Sequence, residues 1–228
     1  MDTPDALTSA AAGMRLQADR LDLIAQNLAN ASTIGYRERR WTDSTRTFAA
    51  SLGSATEGAP RQGALRRTGV PTDLALVGPG YFSVATADGV RYTRDGRLSM
   101  TDDASLADIR GNKLLGALGP VRFPHGAHLE PNGRVIVDGR VVDTLRLVAL
   151  SPANAVADGP YASASSVPVK AASTTVHTGY LEESTVDPIA EMTALVGAQR
   201  AYEADEKAAQ RADETLRRAV TDVPTVRS

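Results

Sequence analysis

The sequence predicts an α+β protein in which a mainly-β central domain of short antiparallel strands carries long N- and C-terminal helices packing as a coiled coil. Three observations predict it. Apolar residues recur every seven positions at both ends of the chain, Asp-Gly and Asn-Gly pairs at hairpin spacing punctuate the middle, and stretches rich in Ser, Thr, Ala, Gly and Pro separate the two regimes.

The first helix opens at Thr3-Pro4-Asp5, with Thr as N-cap, Pro at the first helical position and an acid at the positive end of the macrodipole. Leu7, Met14, Leu21 and Leu28 make one seam. Ala10, Ile24 and Ala31 make the second, interrupted by Gln17. The pattern predicts a helix to about Ala31, closed within Ser32-Thr33-Ile34-Gly35-Tyr36 by Gly35 in a left-handed conformation, with Arg37, Arg39 and Arg40 beyond its negative end. Residues 1–36 thus form an N-terminal segment, and 37–62, without a clear period from residue 42 on, a connector.

Strands are expected over 73–77, 81–86, 90–93, 134–137 and 141–150, around the turns Asp88-Gly89, Asp95-Gly96, Asn132-Gly133 and Asp138-Gly139. Residues 63–178 make the β domain, of which 151–178 form an exit loop rich in Ala, Ser, Pro and Thr. In the C-terminal segment, 179–228, Asp187-Pro188 repeats the N-cap signal. A helix to about Val220 carries Leu195, Tyr202, Ala209 and Leu216 on one seam. Ala198, Asp205, Ala212 and Ala219 lie on the other.

Helices of about 27 and 34 residues would be roughly 40 and 50 Å long, too long for a domain of this size to bury. An alanine-lined seam removes little surface from water, whereas ordering each residue costs about 1–2 kcal/mol of backbone entropy. Such helices gain most by packing against many copies of themselves.

Composition removes several function classes. A net charge of −2 does not suit a protein that wraps nucleic acid, and the absence of Cys removes thiol nucleophiles, thiolate metal sites and disulfides. Charged residues interrupt every apolar stretch near the N-terminus, so no secretory signal peptide or membrane span is expected. His125 and His128 flank Gly126 without a third ligand nearby, and no Ser lies in a nucleophile elbow. Catalytic, cofactor and metal residues are expected to be absent.

Three segments carry a resemblance. Residues 21–36, which end in Ala-Asn-Ala-Ser-Thr-Ile-Gly-Tyr, resemble the N-terminal signature of the flagellar rod and hook axial proteins. Residues 73–82, followed by Tyr92-Thr93-Arg94-Asp95-Gly96, are similar to that family's first β hairpins. Gly179-Tyr180-Leu181-Glu182, Glu191-Met192-Thr193 and Gln199-Arg200-Ala201-Tyr202-Glu203 resemble its C-terminal signature. The signature positions are Asn27, Asn30, Thr33, Gly35, Tyr36, Gly179, Glu182, Glu191, Met192, Gln199 and Arg200. The chain departs from the family pattern at Ile34, Thr185 and Asp205, the last two in place of Asn.

The resemblance implies a non-enzymatic rod subunit of the basal body. Such a subunit is exported through the flagellar export apparatus without a cleaved signal and assembles helically with itself and other rod and hook proteins. It forms the wall of the export channel and transmits torque. Neither nucleic acid nor a small-molecule substrate is implied. The short middle and residues 182–192 favour the proximal over the distal rod type. Asn27 and Asn30 sit beside the apolar stripe, where a solvated polar face is the ordinary reading, and the resemblance adds a second, side-chain amide bonds to neighbouring subunits. The alternative is a finite coiled-coil adaptor whose β domain binds a ligand.

Overall fold

A computed structural model describes residues 3–40, 61–150, 155–158, 161–164, 169–171 and 173–221. The chain divides into two compact units. Among the described residues one contains the two terminal helices, and the other contains residues 30–39 and 61–186.

In the helical unit, α1 spans Thr3–Ala29 and α2 spans Pro188–Thr221. Asp187 caps α2 as its residue type predicts, its Oδ1 accepting the N–H groups of Ile189 at 2.9 Å and Ala190 at 3.2 Å. The end of α1 differs from expectation. It stops at Ala29, because Asn30 accepts both the backbone N–H of Thr33, at 3.0 Å, and its hydroxyl, at 3.2 Å, and this local turn competes with the next helical bond.

The strand-rich unit contains β1 (Leu65–Arg67), β2 (Leu74–Val77), β3 (Tyr81–Thr86), β4 (Gly89–Thr93), β5 (Leu98–Met100), β6 (Leu106–Asp108), β7 (Lys113–Leu114), β8 (His128–Leu129), β9 (Arg134–Val137), β10 (Arg140–Thr144), β11 (Leu147–Ala149), β12 (Ala155–Asp158), β13 (Tyr161–Ala164), β14 (Val169–Lys170), β15 (Thr175–Thr178) and β16 (Tyr180–Glu182). The largest sheet runs β12-β13-β4-β3-β7-β6-β5, with β11 joining β3 to β14. The smaller groups are β10-β9-β8, β1-β16 and β15-β2, and every pairing among the described residues is antiparallel.

Asp138 and Gly139 both have positive φ, 49° and 72°, the type I′ geometry that an Asp-Gly hairpin needs between β9 and β10. Asp95-Gly96 is no hairpin turn. Its backbone lies against Leu74, whose N–H donates to the Gly96 carbonyl at 2.9 Å. The single strand expected over 141–150 is two, β10 and β11, because Leu145 turns aside to donate to Gly133 at 2.7 Å. Within 151–178, expected as a loop, lie β12 to β15. Gly179 and β16 belong to this unit because β16 pairs with β1.

Between the strands lies one apolar cluster including Leu74, Leu76, Phe82, Val84, Leu114 and Val135. Among the described residues Phe82 is the one Phe, Tyr or Trp in that buried cluster, in keeping with the low aromatic content.

Candidate functional site

In the strand-rich unit the signature residue Glu182 sits in a buried ion cluster, with the signature glycine Gly35 bonded to its backbone. Glu182, on β16, is 1% exposed and has acceptor work at three atoms. Its Oε2 lies 2.8 Å from Arg94 Nε and 2.7 Å from Arg94 Nη2, its Oε1 accepts the Gly63 N–H at 3.1 Å, and its backbone carbonyl accepts the Gly35 N–H at 2.7 Å. A buried carboxylate is tolerated when its oxygens are paired in this way.

Arg94 spends its remaining donors on backbone. Nη2 donates to the Leu76 carbonyl at 3.1 Å, and Nη1 donates to the carbonyls of Gly78, at 2.8 Å, and Gly80. Arg37 completes the cluster, 3.8 Å from Glu182 Oε1, and the Tyr81 ring centroid lies 5.6 Å from the Arg37 guanidinium and 5.9 Å from that of Arg94. Burial, and then the charge of Arg37, push the Arg94 pKa down to about 10 against the pull of Glu182, so Arg94 stays protonated at neutral pH.

The cluster ties together two distant stretches of chain. Tyr36 accepts the Thr185 N–H at 3.1 Å, and the Glu38 N–H donates to the Thr185 hydroxyl at 2.7 Å. Residues 35–38 therefore lie along one side of 182–185, while β1 lines the other. Gly35 has φ of 70°, and a Cβ there would lie 2.5 Å from the Arg94 carbonyl carbon, so only glycine fits. It serves this close approach rather than the helix stop. Gly179, with φ of 75°, accepts from the N–H groups of Thr68 and Gly69 and donates to Asp73.

Asn30 and Thr33 line a separate polar cleft of about 230 Å³ with Asp108, Ile109, Arg110 and Tyr161 among its walls. Asp108 accepts from the Tyr161 hydroxyl at 2.5 Å and from Asn112 Nδ2 at 3.1 Å, and the Arg110 guanidinium lies 5.3 Å from the Tyr161 ring centroid.

In the helical unit Asn27 Nδ2 donates to Glu191 Oε1 at 3.1 Å, and the Asp205 carboxylate lies over Gly13. The steps from Gly13 to Asn27 and from Asp205 to Glu191 are equal and run in opposite directions, so α1 and α2 are antiparallel with a constant register. Ile24 is buried, Met14, Leu21, Leu28 and Leu195 are partly buried, and Tyr202 is 36% exposed. The side chains of Leu7 and Leu216 lie outside those described. Met192, Gln199 and Arg200 point to solvent.

Asn27, read from the sequence as solvated or as bonded to a neighbouring subunit, is buried and bonds to Glu191 of its own chain. Sequence reasoning missed Arg94, Arg37 and Gly63 as members of the cluster. For Arg94 the available signal was its place directly after β4, within the stretch Tyr92-Thr93-Arg94-Asp95-Gly96 that carries the resemblance.

Three family profiles match. The flagella basal body rod protein profile covers residues 7–37, the flagellar hook protein FlgE/F/G D1 domain profile covers 75–142, and the flagellar basal body rod FlgEFG protein C-terminal profile covers 177–222. The chain is 32% identical to the flagellar basal-body rod protein FlgF of Mesorhizobium japonicum, across 81% of this chain and 83% of that protein. It is 30% identical to the flagellar basal-body rod protein FlgG of Agrobacterium fabrum, across 92% and 95%. The flagellar hook protein FlgE of Brucella abortus is 36% identical over 46% of this chain and 29% of its own length.

Proposed function

This chain belongs to the flagellar basal-body rod protein family, as a structural rod subunit of the proximal type, and on that premise we propose that it assembles helically in the proximal rod, lines the export channel and carries torque towards the hook. One observation carries the reading. The matched end segments supply the clamp at Glu182, which ties the stretch leaving α1 to the stretch entering α2. A torque-bearing subunit needs such a joint, because load passing between its terminal helices and its strand-rich unit crosses those two stretches.

The finer parts of the proposal follow. Its partners are further copies of itself, other rod and hook proteins and the flagellar export apparatus, and it leaves the cytoplasm without a cleaved signal. The terminal helices pack as a coiled coil in the assembled rod. Its role is structural rather than catalytic, with neither nucleic acid nor a small-molecule substrate. The finite adaptor is not favoured, since the likeness to rod proteins extends over most of the chain.

Electron microscopy of basal bodies from a strain lacking this chain, beside a complemented control, tests the proposal. Structures that stop at the membrane ring, without distal rod or hook, are expected. Complete basal bodies bearing hooks would overturn it.

A further inference from the structure

The polar cleft of about 230 Å³ beside Asn30 and Thr33 lies wholly within the strand-rich unit and has no part in the clamp at Glu182. Two buried acids, Asp95 and Asp108, stand in its walls, and both are committed to donors of their own loops. Asp95 Oδ1 accepts the backbone N–H of Arg97 at 3.1 Å and its Nε at 3.0 Å, while Oδ2 accepts Arg97 Nη2 at 2.5 Å. Asp108 Oδ1 accepts the backbone N–H groups of Arg110 and Asn112, both at 2.9 Å, and its Oδ2 is taken by Tyr161 and Asn112.

The cations of the same walls keep donors in hand. Arg97 Nη1 has no partner among the described residues, and the Arg110 guanidinium, held over the Tyr161 ring at 5.3 Å from its centroid, makes neither hydrogen bond nor ion pair among them. Contact with a ring face leaves the in-plane N–H groups of a guanidinium unspent. The charged walls thus offer free donors and committed acids, so the group they receive is an acceptor, and the planar guanidinium fork matches a carboxylate. Two acids and two arginines leave these walls without net charge, so a monoanion meets less repulsion from Asp95 and Asp108 than a dianion would. Ile109, 65% exposed in the same walls, gives a hydrocarbon stem something to lie against. We propose that this cleft binds a carboxylate carried on a short aliphatic stem, gripped by Arg97 and Arg110 with Ile109 against the stem.

Size sets the ligand class. Sites for drug-sized molecules run to roughly 300–1,000 Å³, and a cleft of about 230 Å³ suits something smaller, a single acidic side chain of another polypeptide or a free short-chain acid. The bonds from Asp108 to the turn that carries Arg110 fix that turn before the ligand arrives, which lowers the ordering cost of binding. The site binds and does no chemistry, and it stands whether or not the chain assembles into a rod.

Two measurements test the proposal. Sodium propionate, which reproduces a glutamate side chain, is titrated into the purified full chain at constant ionic strength, and the arginine Nε–H signals are followed by NMR. Saturable shifts are expected, with a Kd on the order of millimolar for so small a ligand. Arg110→Gln should weaken binding about tenfold, and Arg140→Gln, at an exposed position on β10, should leave it unchanged. In the second measurement Arg110→Lys sets a primary amine in the cleft, basal bodies carrying that chain are treated with a carbodiimide, and the coupled peptides are identified by mass spectrometry. A bond to an acidic residue of another polypeptide supports the site with a side chain as its occupant. Saturable propionate binding without such a bond supports it with a free acid as its occupant. Shifts that do not saturate, or that chloride reproduces, overturn the proposal when no bond to another polypeptide forms, and a bond to Asp95 or Asp108 alone counts as none. Equal weakening by Arg140→Gln would reduce the binding to general charge attraction and overturn it as well. The titration uses the isolated chain, so its failure is distinct from failure of the rod reading.

Discussion

The side-chain amide of Asn27 donates to the carboxylate of Glu191 across 3.1 Å, and the two residues are only 2% and 9% exposed. A buried hydrogen bond to a charged acceptor contributes more than its neutral counterpart, and losing one partner leaves the other desolvated. It also favours one register of α1 against α2, because sliding either helix would part the amide from the carboxylate and leave both buried.

Replacing Asn27 by Ala should therefore cost about 1–3 kcal/mol in the helical unit. Helicity followed by circular dichroism at 222 nm should melt earlier, while probes of the strand-rich unit keep their midpoint. Asn27→Asp should be worse than Ala, since it sets two carboxylates 3 Å apart, and an unchanged helical transition in both variants would show that the bond carries no weight.

Glu182 is the counter-charge for Arg94 and Arg37 together. Its replacement by Ala buries two guanidinium groups without an anion, an arrangement expected to cost about 3–5 kcal/mol. Glu182→Gln retains an acceptor for the Gly63 N–H and should lose less. Denaturant unfolding of the two variants should rank them in that order with unchanged m-values, and equal midpoints would mean that the pair contributes nothing beyond its shape.

The Tyr161 hydroxyl predicts an alkaline transition. Burial, and then its bond to Asp108, push its pKa up to about 12 from 10.0. A folded-state pKa above the unfolded one contributes stability that is present below pH 10 and lost as the pH rises towards 12. Asp108 works at the other end of the scale. Burial opposes its ionisation, but bonds from Tyr161, Asn112 and two backbone N–H groups outweigh this and hold its pKa below the ordinary value, so its contribution is lost in acid. In an absorbance titration the Tyr161 step should lie above the ordinary phenol range, and Asp108→Asn should bring that step down. A titration unchanged by the substitution would disconnect the pair.

The helices were legible because period, cap and length agree. Asp187-Pro188 starts α2 within a residue of where propensity puts it. Type I′ chemistry likewise marked the β9–β10 hairpin at Asp138-Gly139. Strands such as Lys113–Leu114 and His128–Leu129 are too short for any alternation to register, and β12 and β13 hide in an Ala- and Ser-rich stretch whose composition reads as loop. The buried cluster stayed hidden for another reason. Its members lie up to 145 positions apart, from Arg37 to Glu182, and a lone Arg or Glu in sequence looks like a solvated surface charge until the fold brings them together.

Gly13 poses the sharpest test of the helix pair. A glycine within a helix costs about 1 kcal/mol relative to alanine, so Gly13→Ala would stabilise an isolated α1. In the folded chain a Cβ at that position would lie 2.8 Å from Asp205 Oδ2 and 3.1 Å from its Cγ, so the half-buried carboxylate would have to leave the notch. The single substitution should therefore lower the melting temperature of the helical unit. In an Asp205→Ala background the obstruction is gone, and the same change should raise stability by about 1 kcal/mol. A double-mutant cycle between the two positions measures the difference. Equal effects of Gly13→Ala in the two backgrounds would show that the carboxylate does not occupy the notch and that the antiparallel register is held elsewhere.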